Sequence, residues 1–237
     1  MRLCGDETRS ANVLLVVRGN ARDDAAMDLS KKPPIGGLLL IAGIVTLVVT
    51  LVRLVGEWKG WDASMFSAEA GGRSWFGIIW LVPVFGILFG RRLAKGTTPP
   101  FVTSFFVPMF AAVGLFFAVV YCGNQLKDES LREKVQYVYY AGPIVALLGL
   151  LAWPRAFMTF LYYGLLARVP VLVVQYLDIN RGWQTHYGKM LPGMPGSMSA
   201  EEKLLHLTLA QVGFWLPFTI LLGGGMAALG AATVKKA

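Results

Sequence analysis

Residues 35–55 read IGGLLLIAGIVTLVVTLVRLV, a run whose one charged side chain, Arg53, stands near its end. At about 1.5 Å of rise per residue, such a run covers the ~30 Å hydrocarbon core of a bilayer. Pro33 and Pro34 open it, and Gly36, Gly37 and Gly43 lie among its leucines and valines. Working outward, comparable apolar runs recur over 74–90, 100–123, 135–153, 156–177 and 204–232. The pattern predicts an all-α, polytopic helical membrane protein with about six transmembrane helices. A β-barrel would show shorter segments that alternate apolar with polar residues, and none of these does.

Composition agrees. Hydrophobic residues make up 55% of the 237 positions and charged residues only 15%. A soluble chain of this length needs a larger charged share to cover its surface. Three regions follow: a polar segment 1–34, a transmembrane domain 35–232, and a short basic tail 233–237. Within the first, residues 1–26 read as a disordered extension or an over-long start. Met27 would open an ordinary lead-in, and Val13–Val17 is too short for a signal-peptide core.

Basic residues set the expected orientation. With the N-terminus inside, the inner segments carry twelve Lys and Arg against eight outside. Arg91, Arg92 and Lys95 form a short loop without an acid, and Lys235 and Lys236 close the chain on the same side. The positive-inside rule then predicts both termini cytoplasmic in a cellular membrane, the plasma membrane or the inner membrane of a bacterium. The net charge of +8 reads as topology and contact with anionic lipid. No nucleic-acid partner is expected, because no basic stripe with interleaved aromatics stands outside the spans.

Catalytic and cofactor patterns are missing. Two cysteines, Cys4 and Cys122, fall on opposite predicted sides, and there is no CxxC, Walker or dinucleotide glycine motif. With two histidines in the chain, neither a histidine-based metal site nor a relay is predicted. Glu201, Glu202 and His206 lack the further histidines and asparagine of a membrane protease. No catalytic residue, metal or cofactor is assigned, and an intramembrane enzyme ranks behind two other readings.

Those readings centre on Arg168, in the middle of the fifth span. An arginine at the bilayer centre costs about 2.5–3.5 kcal/mol and calls for a partner. Each of the fourteen acids falls in a predicted tail or loop. The expected partners are therefore Gln175, Gln211, a tyrosine, carbonyls freed near Pro170, a lipid phosphate, an anionic ligand, or an acid on another subunit. Arg53, one turn from a helix end, is expected to snorkel to water. Pro83, Pro108, Pro143, Pro170 and Pro217 fall one in each of spans two to six, which predicts several proline-kinked helices.

The last outer loop, 178–203, offers Trp183, His186 and Tyr187 as candidate site residues. Trp183 and Tyr187 suit head-group anchors, as do Tyr137, Tyr139 and Tyr140. His186, Met190, Met194 and Met198 recur every four residues in a Cu(I)-like donor set, but Pro192 and Pro195 prevent the helix that would align them. The small residues Gly223–Gly225, Ala227, Ala228 and Gly230 predict close helix packing. One function class is a non-enzymatic membrane component that meets a partner membrane protein or lipid. The other is a small-solute or lipid carrier with an anion site at Arg168.

Overall fold

A computed structural model describes residues 35–69, 77–96, 99–124, 129–190 and 198–234. The N-terminal segment, with the expected extension 1–26 and Cys4, lies outside the described residues, as do Met194 and the Lys235–Lys236 pair. Every regular element among the described residues is helical. The six helices are α1 (Gly36–Trp58), α2 (Leu81–Leu93), α3 (Phe101–Asn124), α4 (Glu129–Ala152), α5 (Pro154–Arg181) and α6 (Ala200–Ala232). A five-residue π segment, Gln211–Trp215, interrupts α6.

Five of the six are long and apolar enough to cross a membrane. The exception corrects the expected span at 74–90. Helix α2 has 13 residues, about 20 Å, and cannot cross a hydrocarbon core alone. Two turns, Leu81 N–H to Ile78 O and Val82 N–H to Ile79 O, precede it. This late start puts Pro83 in the first turn, where its missing N–H breaks no helical bond.

Local sequence explains the other ends. Trp153 adopts an extended conformation as N-cap and Pro154 takes the first helical position, so α4 stops and α5 begins within two residues. Ser199 and Glu202 exchange side-chain and backbone bonds in the expected capping box that starts α6. Pro108, Pro143 and Pro170 sit inside helices that continue through them.

Helix α6 is the hub, packed against α2, α3, α4 and α5. Its small residues let neighbouring backbones come close. A Cβ on Gly90 of α2 would strike the Ala227 carbonyl, and one on Gly230 would strike that of Ile87. Gly142 of α4 faces the Gly213 carbonyl, which Pro217 cannot serve as an N–H donor. Gly223 lies against the Phe160 ring of α5. Contacts of this kind replace the hydrophobic effect inside lipid, whose tails are as apolar as leucine.

The contacts also fix direction. Gly90 beside Ala227 and Arg91 beside Thr233 set α2 parallel to α6, while Phe160 beside Gly223 and Arg168 beside Gln211 set α5 antiparallel. Helix α1 runs with α5, since Thr46 meets Tyr163 and Glu57 meets His186. The start of α1 and the end of α6 therefore share one end of the bundle, here the Thr233 end. Opposite is the His186 end.

Candidate functional site

A polar column runs through the interior between α1, α5, α6 and the segment after α5. On α1, Thr46, Thr50, Arg53 and Glu57 fall at helical spacing on one face, and all four are buried. The two threonines return their hydroxyls to carbonyls one turn back, Thr46 to Ala42 at 2.8 Å and Thr50 to Thr46 at 2.9 Å. This leaves the Thr46 oxygen in contact with the Tyr163 hydroxyl at 3.1 Å.

At the His186 end the column is ionic. The Glu57 side chain is 0% exposed and pairs with Arg53 Nε at 2.7 Å. It also accepts the His186 backbone N–H at 2.9 Å and meets His186 Nδ1 at 2.6 Å. A second carboxylate, Asp178 in the last turn of α5, accepts from the Thr185 hydroxyl at 2.6 Å and the Gly188 N–H at 2.7 Å. Gly182, with φ of 65°, ends α5 in a left-handed turn that sends the chain back into the bundle. The two acids hold that returning segment. Burial pushes the His186 pKa down, against the opposing pull of its Glu57 bond. A neutral imidazole with its proton on Nδ1 donates to Glu57.

Three expectations are overturned here. Arg53 does not snorkel; it is buried and ion-paired. Glu57 and Asp178 are not loop acids. Each lies in the last turn of a helix and is buried, because α1 extends to Trp58 and α5 to Arg181. Tyr187 is not a head-group anchor: it packs on Val171 and Val174, and its hydroxyl donates to the Thr50 carbonyl at 3.3 Å. Burial raises the pKa of that phenol. Tyr139 is likewise buried, edge-on to the His206 ring. Trp183 is half-buried against Trp58, while Tyr137 and Tyr140 are exposed.

Deeper in the bundle, Arg168 is only 7% exposed. One terminal nitrogen donates to Gln211 Oε1 at 3.2 Å and the other to Thr219 Oγ1 at 3.1 Å. Its Cζ lies 5.5 Å from the centre of the Trp215 ring. All three partners sit in or beside the π segment, where the extra residue per turn reshapes the α6 face. Arg168 Nε has no hydrogen-bond partner, and neither has Gln175 Oε1 nor one terminal nitrogen of Arg53. Gln175 is two turns along α5 and does not bond Arg168, whereas Gln211 does. The guanidinium is thus held by neutral groups.

No group of three or more His, Cys, Asp or Glu side chains able to hold a metal occurs among the described residues. His186 Nδ1 is already engaged by Glu57. Two surface grooves, of about 450 Å³ and 220 Å³, contain no residue of the column. The fold and column define a multi-pass helical protein of membrane character with a charged, hydrogen-bonded interior. The chain matches no family model, and comparison with curated proteins and with solved structures returns no similar chain.

Proposed function

We propose that this is a non-enzymatic integral membrane protein that holds and carries a small anion at Arg168. The observation behind it is a cation 7% exposed whose hydrogen-bond acceptors are an amide and a hydroxyl. An uncompensated buried charge is expensive, and an anion arriving beside it would recover Coulomb energy in a low dielectric. The free Nε is a donor ready for such a ligand. The membrane is a cellular one, and both ends of the bundle chain face the cytoplasm, because exposed Arg91, Arg92 and Lys95 gather at the Thr233 end.

The test is a thermal-shift titration of the purified protein with chloride, phosphate and short carboxylates, followed by flux of the active anion in proteoliposomes. Wild type should be stabilised by one class and transport it. Arg168→Met should lose both, and Arg168→Lys should keep part of the response if charge alone matters. An anion response unchanged in Arg168→Met would end this reading.

A component that docks on a partner membrane protein or lipid is the second reading. It is favoured by the aromatic outer faces of α3 and α4, where Phe110, Phe117, Tyr121 and Tyr137 are exposed. On that reading the partner meets those faces, since Arg168 points into its own bundle.

A further inference from the structure

Arg168 sits between two halves of the bundle that differ in kind. Toward the Thr233 end the interior is aromatic. Phe85 and Phe89 of α2 pack on Phe160 and Tyr163 of α5, with ring centres 5.7 Å apart for Phe85 and Tyr163 and 5.6 Å for Phe89 and Phe160. None of the four is more than 6% exposed. Tyr163 meets Thr46 of α1 and Phe160 meets Gly223 of α6, so the cluster fills the section among four helices. Phe160 and Tyr163 precede Arg168 by about 12 and 7.5 Å along α5.

Toward the His186 end the interior is polar and incompletely bonded. Gln175, two turns along α5, is 2% exposed and its Oε1 has no partner. Arg53, two turns beyond Thr46 on α1, leaves one buried terminal nitrogen free. With Arg168 Nε these are the unpartnered buried side-chain atoms among the described residues, and none lies on the Thr233 side of Tyr163. Such atoms are costly unless water or a ligand reaches them. Arg53 offsets the Glu57 charge, and Asp178 spends its oxygens on Thr185 and Gly188. Across this half lies Tyr187, carried in by the returning segment. It packs on Val171 and Val174, just beyond Arg168 on α5, and its hydroxyl reaches the Thr50 carbonyl through a long bond of 3.3 Å. We propose that Arg168 is reached from the His186 end alone: a small anion passes Arg53 and Gln175 when Tyr187 swings off Thr50, while the aromatic cluster bars the Thr233 end. This rests on the carrier reading and deepens it by giving the site a side, the outer one in the orientation proposed above.

The experiment reads which side reaches the site. Thr219→Cys, beside Arg168 and close in size to the residue it replaces, is made in the full chain carrying Cys4→Ser/Cys122→Ser. The probe is methanethiosulfonate ethylsulfonate, a small anion that does not cross membranes, applied to sealed cells and to inverted vesicles. Ser64→Cys, exposed just after α1, and Lys95→Cys, exposed just after α2, report which end each preparation presents. Thr219→Cys should react where Ser64→Cys reacts and stay unmodified where Lys95→Cys reacts. Tyr187→Ala should speed that reaction roughly tenfold, because a hydroxyl bond and a packed ring no longer hold the closed state. If Tyr187→Ala fails to fold, Tyr187→Phe removes the hydroxyl alone and should speed it less; if Thr219→Cys does not melt as wild type, Gln175→Cys takes its place. Modification from the Lys95 side, equal modification from both sides, or a rate unchanged by the Tyr187 variants overturns the proposal. Chloride, phosphate and short carboxylates separate its failure from that of the carrier reading. Sided modification that none of them slows keeps the entry side and ends the carrier reading. Slowing by one of them with modification from the Lys95 side keeps the carrier reading and overturns the entry side.

Discussion

Two of the interfaces in this bundle obey different rules. Around α6, glycines and alanines let backbones meet, and Gly90, Gly142 and Gly230 face carbonyls of neighbouring helices. Between α1 and α5, the contact is made by Thr46, Arg53, Glu57, Tyr163, Asp178 and the returning segment 182–188. The first interface depends on missing atoms, the second on charged and polar ones. Lipid competes with neither: it cannot enter a carbonyl-tight seam, and it offers nothing to a buried carboxylate. The seam should therefore fail when atoms are added and the column when they are removed.

The largest effect belongs to the seam. Gly90→Leu drives a side chain into the Ala227 backbone, which cannot rotate away as a flexible side chain would. The cost should exceed the ~3 kcal/mol usual for overpacking. Monodisperse protein should be lost in size-exclusion chromatography. A normal elution profile and melting temperature would show that α2 is not pressed on α6.

Next comes the ion pair. Glu57→Leu leaves Arg53 buried without its carboxylate and frees the His186 N–H, a change of about 3–5 kcal/mol for a broken buried pair. Removing both charges with Arg53→Met/Glu57→Leu should recover much of that loss. Denaturant melts of the four members of this cycle give the coupling, and an additive result would mean that the pair is not formed.

Much of the seam was legible from residues alone. Gly223–Gly225, Ala227, Ala228 and Gly230 read as a packing face, and Ser199–Glu202 as a helix start, because both depend on local pattern. The column was less so. Arg168 announced itself by depth, and Gln211 was among its expected partners, but Thr219 was not. Thr46, Thr50, Arg53 and Glu57 share a spacing of four, three and four that marks one helix face, so the signal was present. It was hidden by ending the first span at Val55, which turned Glu57 into a loop acid and Arg53 into a snorkelling one. The fold-back of Tyr187 had no such signal, since it depends on a long-range partner, Thr50, whereas the shortness of α2 was hinted at by the short apolar run 74–90.

A smaller effect separates the column from the seam by pH. Burial lowers the folded-state pKa of His186, against Glu57 and Asp178 and in step with the nearby Arg53 charge. The unfolded chain therefore takes up a proton more readily than the folded one. Stability from this residue is complete above the ordinary histidine value of about 6.5 and is lost as pH falls from there through the folded value. Melting temperature should drop on acidification from pH 7.5 to 5.5, and His186→Gln should flatten that slope. A slope of opposite sign would mean that the imidazole is charged in the fold and forms a true ion pair with Glu57.

The smallest effect tests whether the seam rule is specific to position or general to glycine. Within one triplet of α6, a Cβ on Gly223 would meet the Phe160 ring and one on Gly225 would meet the Met109 side chain at 2.6 Å, while Gly224 has nothing within 4 Å. Replacing glycine by alanine inside a helix gains roughly 0.5–1 kcal/mol where space allows. Gly224→Ala should therefore melt at or slightly above wild type. Gly223→Ala should melt lower, because an aromatic ring must move, and Gly225→Ala should fall between, because methionine can swing aside. If all three lose stability alike, the seam tolerates no added atom anywhere and its closeness is a property of the whole helix. If the order holds, the seam is a set of separate contacts, each as local as the hydrogen bonds of the column.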